Sequence, residues 1–214
     1  MRIILLGPPG SGKGTQANFI ADQYSIPTIS TGEILRTAVK CNSKLGNQIK
    51  KIMDAGKLVT EEIVISLVKR RLSQADCYTG FLLDGFPRTI FQAHAMKVLD
   101  IKVDHILEFQ VPDKLIIARL SGRQIHERSG RIYHTQFYPP KTPGQDDITG
   151  EPLVMRNDDH KETVYQRLTE YHKRTAPLIK YYAAETLMNN TKYHQLDGTL
   201  HMTILKKIIS NLLG

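Results

Sequence analysis

Hydrophobic positions along this chain follow two rhythms. Short, nearly unbroken apolar runs at Arg2–Leu6 (RIILL), Phe81–Asp84 (FLLD) and His105–Phe109 (HILEF) read as strands buried on both faces, and Tyr193–Leu196 is a shorter one. Between them the apolar residues recur at helical spacing. Gln16–Tyr24 places Ala17, Phe19, Ile20 and Ala21 on a helix. Ser30 with Glu33 forms a capping box for a helix running to Lys40. Ser43–Ala55 is closed by Gly56, and Glu61 and Glu62 after Thr60 open a helix reaching Leu72. Further helical periods cover Thr89–Leu99, Pro112–Ser121 and Met202–Leu213. The longest, Lys161–Leu187, has Asp159 as candidate N-cap, and Pro177 should bend or break it. Alternating strands and helices predict an α/β fold with a parallel sheet covered on both faces.

One stretch has a different texture. Gly122–Asp159 holds four of the ten prolines and four of the fifteen glycines, with short β-rich pieces such as Arg131–His134. A structureless loop of that length is unusual in a compact domain, so this insertion should have a fold of its own.

Composition narrows the function. The chain has 214 residues, 41% of them hydrophobic, enough to bury a core. Its formal charge of +8 calls for anionic partners: nucleic acid, an acidic membrane surface or phosphorylated small molecules. A nucleic-acid binder should interleave its basic residues with aromatics, yet aromatics are only 7% and no such module is evident. The run Ile3–Leu6 is too short for a signal peptide or membrane span. Cys41 and Cys77 match no metal or redox spacing and read as buried small hydrophobes in a reducing compartment. The expectation is a soluble, cytoplasmic protein.

The decisive motif is Gly7-Pro8-Pro9-Gly10-Ser11-Gly12-Lys13-Gly14-Thr15, which lies between a predicted strand and a helix. Small residues let successive backbone N–H groups turn inward around phosphate oxygens, and the helix N-terminus adds positive potential. Lys13 supplies a full charge. Gly14 occupies the usual Ser/Thr position, with Thr15 after it, so a direct hydroxyl–magnesium bond is less assured. Asp84, ending a strand, can hold Mg²⁺ through water, and Arg88 can reach a phosphate. Arg119 and Arg123 are spaced to share one helix face, and Arg156 and Arg167 flank the entry of the long helix.

These motifs, in this order, resemble the nucleoside monophosphate kinases, and Asp84-Gly85-Phe86-Pro87-Arg88 with Gln92 sharpens the resemblance to the adenylate kinase family. Ser30-Thr31-Gly32-Glu33 with Arg36 resembles its monophosphate-binding helix, and Gly56-Lys57-Leu58-Val59 the following turn. The resemblance runs to Asp197-Gly198 and is closest to the long-lid bacterial type. It implies a P-loop NTPase-like three-layer fold with a central five-stranded parallel sheet. It also implies a core of residues 1–29, 60–121 and 160–214, a helical AMP-binding segment at 30–59 and a small β-rich lid at 122–159.

The implied reaction is reversible phosphoryl transfer from MgATP to AMP, giving two ADP; the alternative is a kinase for UMP, CMP or GMP. Carried over, the donor is held by Gly10, Ser11, Gly12, Lys13, Gly14 and Thr15, with Arg119, Arg123, Ile132, Tyr133 and Leu200. At Leu200 only a main-chain contact to the adenine would survive. The acceptor falls to Thr31, Arg36, Lys57, Leu58, Val59, Gly85, Phe86, Pro87, Arg88, Gln92, Arg156 and Arg167. Lys13, Asp84, Arg88, Arg123, Arg156 and Arg167 form the catalytic group. Asp158 and Asp159 pair with arginines at the lid root in the family, although N-capping explains Asp159 equally well. Partners are the nucleotides ATP, AMP and ADP, with neither nucleic acid nor membrane, and the chain should be a monomer.

Within the insertion, His126-x-x-Ser129 and Asp146-x-x-Thr149 repeat the paired spacing of zinc knuckles. Ser and Thr are poor zinc ligands, so a hydrogen-bonded cluster without zinc is expected, and magnesium arrives only with ATP. A P-loop binding or switch protein without turnover is disfavoured by the acceptor motif at Asp84–Arg88. Residues 30–59 carry a charge of +4, half the total, whereas 122–159 carry −1. The basic surplus therefore concentrates in the proposed acceptor segment.

Overall fold

The computed structural model describes residues 1–40, 43–186 and 190–214. The expectations for Cys41 and for the helix end at Leu187 fall outside the described residues; Cys77 is buried as expected. Five parallel strands form the central sheet: β1 (Arg2–Leu6), β2 (Thr28–Ser30), β3 (Phe81–Asp84), β4 (His105–Gln110) and β7 (Lys192–Asp197). Their order is β2-β3-β1-β4-β7. β1 sits at the centre with four of its five residues buried, because helices cover both faces.

Alternate residues supply the two faces. Ile4, Leu6, Leu83 and Ile106 point to a layer containing Leu178 and Tyr182 of helix α8 (Pro177–Glu185) and Ala93 and Met96 of α5 (Ile90–Val98). Ile3, Leu5, Leu82 and Leu107 point to the opposite layer, made by Ala17 and Ile20 of α1 (Lys13–Tyr24) and Leu205 and Ile209 of α9 (Met202–Leu213). Three layers result, as the strand and helix rhythms require.

Several details depart from the sequence reading. β2 occupies Thr28–Ser30, where no strand is legible, and α2 (Thr31–Lys40) follows it directly. α1 begins at Lys13 rather than Gln16, so Lys13 stands in the first helical turn. α3 (Lys44–Asp54) has Ser43 as its cap, whose hydroxyl accepts from the Gly46 N–H at 2.9 Å. α4 spans Glu61–Leu72 and α6 spans Asp113–Ser121.

Arg119 and Arg123 do not share a helix face. α6 ends at Ser121, and a Cβ on Gly122 would lie 2.5 Å from the His134 ring, so the chain turns there and Arg123 opens β5 (Arg123–Ile125). β5 pairs antiparallel with β6 (Ile132–His134), which confirms a β-rich insertion.

Asp159 is not the N-cap of the long helix. α7 (Lys161–Glu170) is preceded by His160, whose side chain makes no capping bond, while the Asp159 carboxylate is engaged by arginines. The long α-helix is interrupted just before Pro177, as that proline predicts. Residues Tyr171–Thr175 widen into a π turn, closed by the Ala176 N–H donating to the Tyr171 carbonyl at 2.8 Å, and α8 then begins at the proline. Widening by one residue accommodates the missing N–H and the ring.

Candidate active site

Strands β1, β3 and β4 end at one edge of the sheet, and the chain there changes side, passing from β3 across β1 to β4. Ligand crevices of open α/β sheets form at such switch points, outside the carboxyl ends of the strands. A cleft of about 810 Å³ opens there.

Its floor is the loop between β1 and α1. Gly7, Gly10 and Gly12 all adopt positive φ, and a Cβ on Gly10 would stand 2.8 Å from Leu120, so the tight path demands glycine. Lys13 arches back over the loop, donating to the Gly7 carbonyl at 2.8 Å and the Pro8 carbonyl at 2.7 Å. Burial pushes its pKa down to about 8, with Asp84 opposing and Arg88, Arg167 and Arg123 reinforcing the shift. Asp84 lies under the loop, its Oδ2 3.8 Å from where a Cβ on Gly14 would stand.

Five arginines close in from separate stretches of the chain, three from α2, β5 and α7 and two from loops. Arg88 lines the cleft beyond β3, its Nε donating to the Gly85 carbonyl at 2.8 Å. Arg123 grips Asp159 with two bonds, Nε to Oδ2 at 2.7 Å and Nη2 to Oδ1 at 2.5 Å. Arg167 meets Asp159 at 3.1 Å and Asp158 at 2.9 Å. Arg36, from α2, and Arg156 complete the group. Burial, followed by repulsion from Arg123 and Arg36, lowers the Arg156 pKa to about 10. Its Nε is buried with no hydrogen-bond partner. An unpaired buried guanidinium N–H among like charges is costly, and an anion in the cleft would relieve it.

Most residues anticipated from sequence line this one cleft: the loop Gly10–Thr15, Arg119, Ile132, Tyr133 and Leu200 at one end, and Arg36, Lys57, Leu58, Val59, Gly85 and Pro87 at the other. Arg119 turns toward the end of β7, its Nη2 reaching the Gly198 carbonyl at 2.8 Å. Thr31, Phe86 and Gln92 are not in the lining. The Thr31 hydroxyl donates to the Gly85 carbonyl at 2.7 Å, Phe86 is buried in the core, and the Gln92 amide sits behind Arg88. Sequence reasoning missed Phe137 and Tyr138, which also face the cleft, because they lie in an irregular stretch without period.

In the insertion, the two knuckle-spaced pairs do come together. His126 Nδ1 lies 2.7 Å from the Ser129 hydroxyl and its Nε2 2.6 Å from Glu151. Asp146 accepts from the Thr149 hydroxyl and N–H at 2.8 Å each, from Arg131 at 2.6 and 2.7 Å, and from the Tyr133 hydroxyl at 3.0 Å. Arg131 above all holds the Asp146 carboxyl well below the ordinary carboxylate range, against the cost of desolvation. Among the described residues no helix is long and apolar enough to cross a membrane.

A phosphate-cradling loop, a strand-end carboxylate and converging arginines together describe a phosphoryl-transfer site. The family model for adenylate kinase matches residues 5–187. The chain belongs to the adenylate kinase family. Its fold and the sheet order agree with that membership, which makes the chain a nucleoside monophosphate kinase, a phosphotransferase whose substrates are nucleotides. The match spans β1 to α8 and so includes every arginine of the cleft.

Proposed function

We propose that the chain transfers the γ-phosphoryl group of MgATP reversibly to AMP, giving two ADP. The observation that carries this reading is the single cleft in which Lys13 and the loop face one end, Arg36 and the Lys57–Val59 turn face the other, and Arg88, Arg123, Arg156 and Arg167 lie between. Two nucleotides laid end to end would bring their phosphates together under those arginines. Acceptor preference for adenine rests on the resemblance of Thr31, Gln92 and the Leu58–Val59 turn to the family's AMP site.

Phosphoryl transfer needs little acid–base chemistry; positioning and charge neutralisation supply most of the rate. The loop N–H groups and Lys13 would grip the donor β- and γ-phosphates, and Arg88 the acceptor phosphate. Arg123 and Arg167 would exchange their bonds to Asp158 and Asp159 for phosphate oxygens. Magnesium would arrive with ATP and neutralise charge on the donor oxygens; Asp84, in the cleft lining, would hold it through water, and Thr15, also in the lining, is the nearest hydroxyl the loop offers. In our reading residues 122–159 form a long lid that excludes water from the donor, and residues 30–59 close over the acceptor. The lid is held by its hydrogen-bonded cluster in place of zinc. Metal analysis of the purified protein should find no stoichiometric zinc; one zinc per chain would refute that element of the proposal.

A coupled assay tests the reaction: ATP plus AMP should give ADP rapidly with Mg²⁺ and negligibly without it. Nucleotide binding without ADP formation would leave a mere binding protein.

A further inference from the structure

The turn that brings Phe137 and Tyr138 to the cleft is wound around one buried histidine. His134 ends β6 and is 8% exposed. Its backbone N–H donates to the Tyr138 carbonyl at 2.8 Å. Its Nδ1 accepts from the Gln136 and Phe137 N–H groups at 2.9 and 3.0 Å. Backbone N–H groups only donate, so Nδ1 must be the bare nitrogen and the ring proton sits on Nε2. Nε2 lies 3.2 Å from the Ala118 carbonyl, an acceptor that it shares with the Ser121 hydroxyl. Ala118 is in the last turn of α6, where carbonyls lack a helical partner. Both ring nitrogens are thus committed, one to the turn and one to the core helix.

The attachment point gives the contact its meaning. Ala118 is followed by Arg119, whose guanidinium is fixed by the Gly198 carbonyl and lines the cleft. On the other side the Phe137 ring packs 4.4 Å from the His134 ring, centroid to centroid, while Phe137 stays 55% exposed. A guanidinium plane and an aromatic ring are surfaces on which a flat base stacks, and the imidazole sets the interval between them. The root of the insertion leaves little slack. A Cβ on Gly122 would meet His134 Cε1 at 2.5 Å, and the Thr135 N–H donates to the Gly122 carbonyl at 2.9 Å.

We propose that His134 is a positioning residue for the donor base: through its two ring nitrogens it holds Phe137 at a set interval from Arg119, forming a slot for a planar base. This rests on the reading of that end of the cleft as the donor's. His134 also lines the cleft, so the test must separate positioning from direct contact.

Calorimetric binding of MgATP and of magnesium tripolyphosphate, which has no base, is compared across His134→Ala, Phe137→Ala and the double variant. His134→Ala should weaken MgATP about 10-fold and leave tripolyphosphate within about twofold. Phe137→Ala should weaken MgATP at least as much, and the double variant no further. Additive losses would mean that His134 itself touches the nucleotide and would overturn the proposal. Equal losses for both ligands, or none for either, would do the same. His134→Asn places an oxygen near the position of Nδ1, and His134→Gln an amide N–H near that of Nε2. Hydrogen exchange at Gln136 and Phe137 in the free protein should therefore stay slow in the Asn variant and quicken in the Gln and Ala variants; one rate in all three would contradict the arrangement. Nitrogen NMR of the wild-type His134 ring should show the proton on Nε2, and a proton on Nδ1 would overturn the proposal without any substrate. A wild type that binds no MgATP would sink the donor reading and the slot with it, whereas one that binds MgATP but departs from this pattern sinks the slot alone. The Asn and Gln variants and the wild-type NMR keep the test open if His134→Ala does not fold.

Discussion

At the level of single residues, the cleft is a place where charge has been buried ahead of its partner. Lys13 with a pKa near 8 is the clearest case, since burial and three arginines outweigh Asp84. A bound triphosphate favours the charged ammonium, so its pKa must rise on binding and protons must be taken up. At about pH 8 calorimetry in buffers of different protonation enthalpy should show roughly half a proton taken up per ATP bound, with uptake shrinking toward lower pH. Zero uptake at that pH would contradict the assignment. Lys13 and the glycines were legible in the sequence because spacing alone specifies a phosphate loop. Asp159 was not: an acid before a helix reads equally as a cap or as an ion-pair partner. Only the fold brings Arg123 within 2.7 Å of it. The same limit applied to Arg119 and Arg123, whose spacing suits one helix face, because nothing in the local pattern announces that Gly122 must avoid the His134 ring.

Among the elements, long periodic ones were readable and short or compensated ones were not. β2 has three residues with a single buried apolar side chain, Ile29, and is a strand only because β3 lies alongside. The proline of the long helix was a sound signal with an unforeseen answer, a π turn that keeps the chain running and delivers Thr175 to Arg88.

The β4–β7 pair carries a prediction of its own. His105 Nδ1 and His194 Nε2 stand 3.2 Å apart, and burial lowers both pKa values. The His194 ring and Lys192 add to the shift at His105, Asp104 opposes it, and the N-terminal amine reinforces it weakly. A depressed folded-state pKa means the unfolded chain binds more protons once the pH drops below the ordinary histidine value. Stability is therefore intact above about pH 6.5 and declines below it. Thermal melts between pH 5 and 7.5 should show this decline in the wild type and a shallower one in His105→Gln and His194→Gln. Parallel profiles would show that the pair does not govern acid sensitivity.

For the whole molecule, the basic surplus that first suggested several kinds of anion resolves into a cleft. Lys13, Arg36, Arg88, Arg123, Arg156 and Arg167 face one space, whose lining includes the acids Glu33, Asp84, Asp158 and Glu170. The α/β class and the parallel sheet followed from periodicity, whereas the five-strand count and the division of the cleft between donor and acceptor followed from resemblance to the family. Ion pairs such as Arg123–Asp159 could be read from neither, since they join residues that only the fold brings together. The central claim is that AMP is the acceptor. Steady-state kcat/KM with MgATP as donor and AMP, CMP, UMP or GMP as acceptor tests it most directly. AMP should rank first by a wide margin; a higher value for any of the other three would contradict the account.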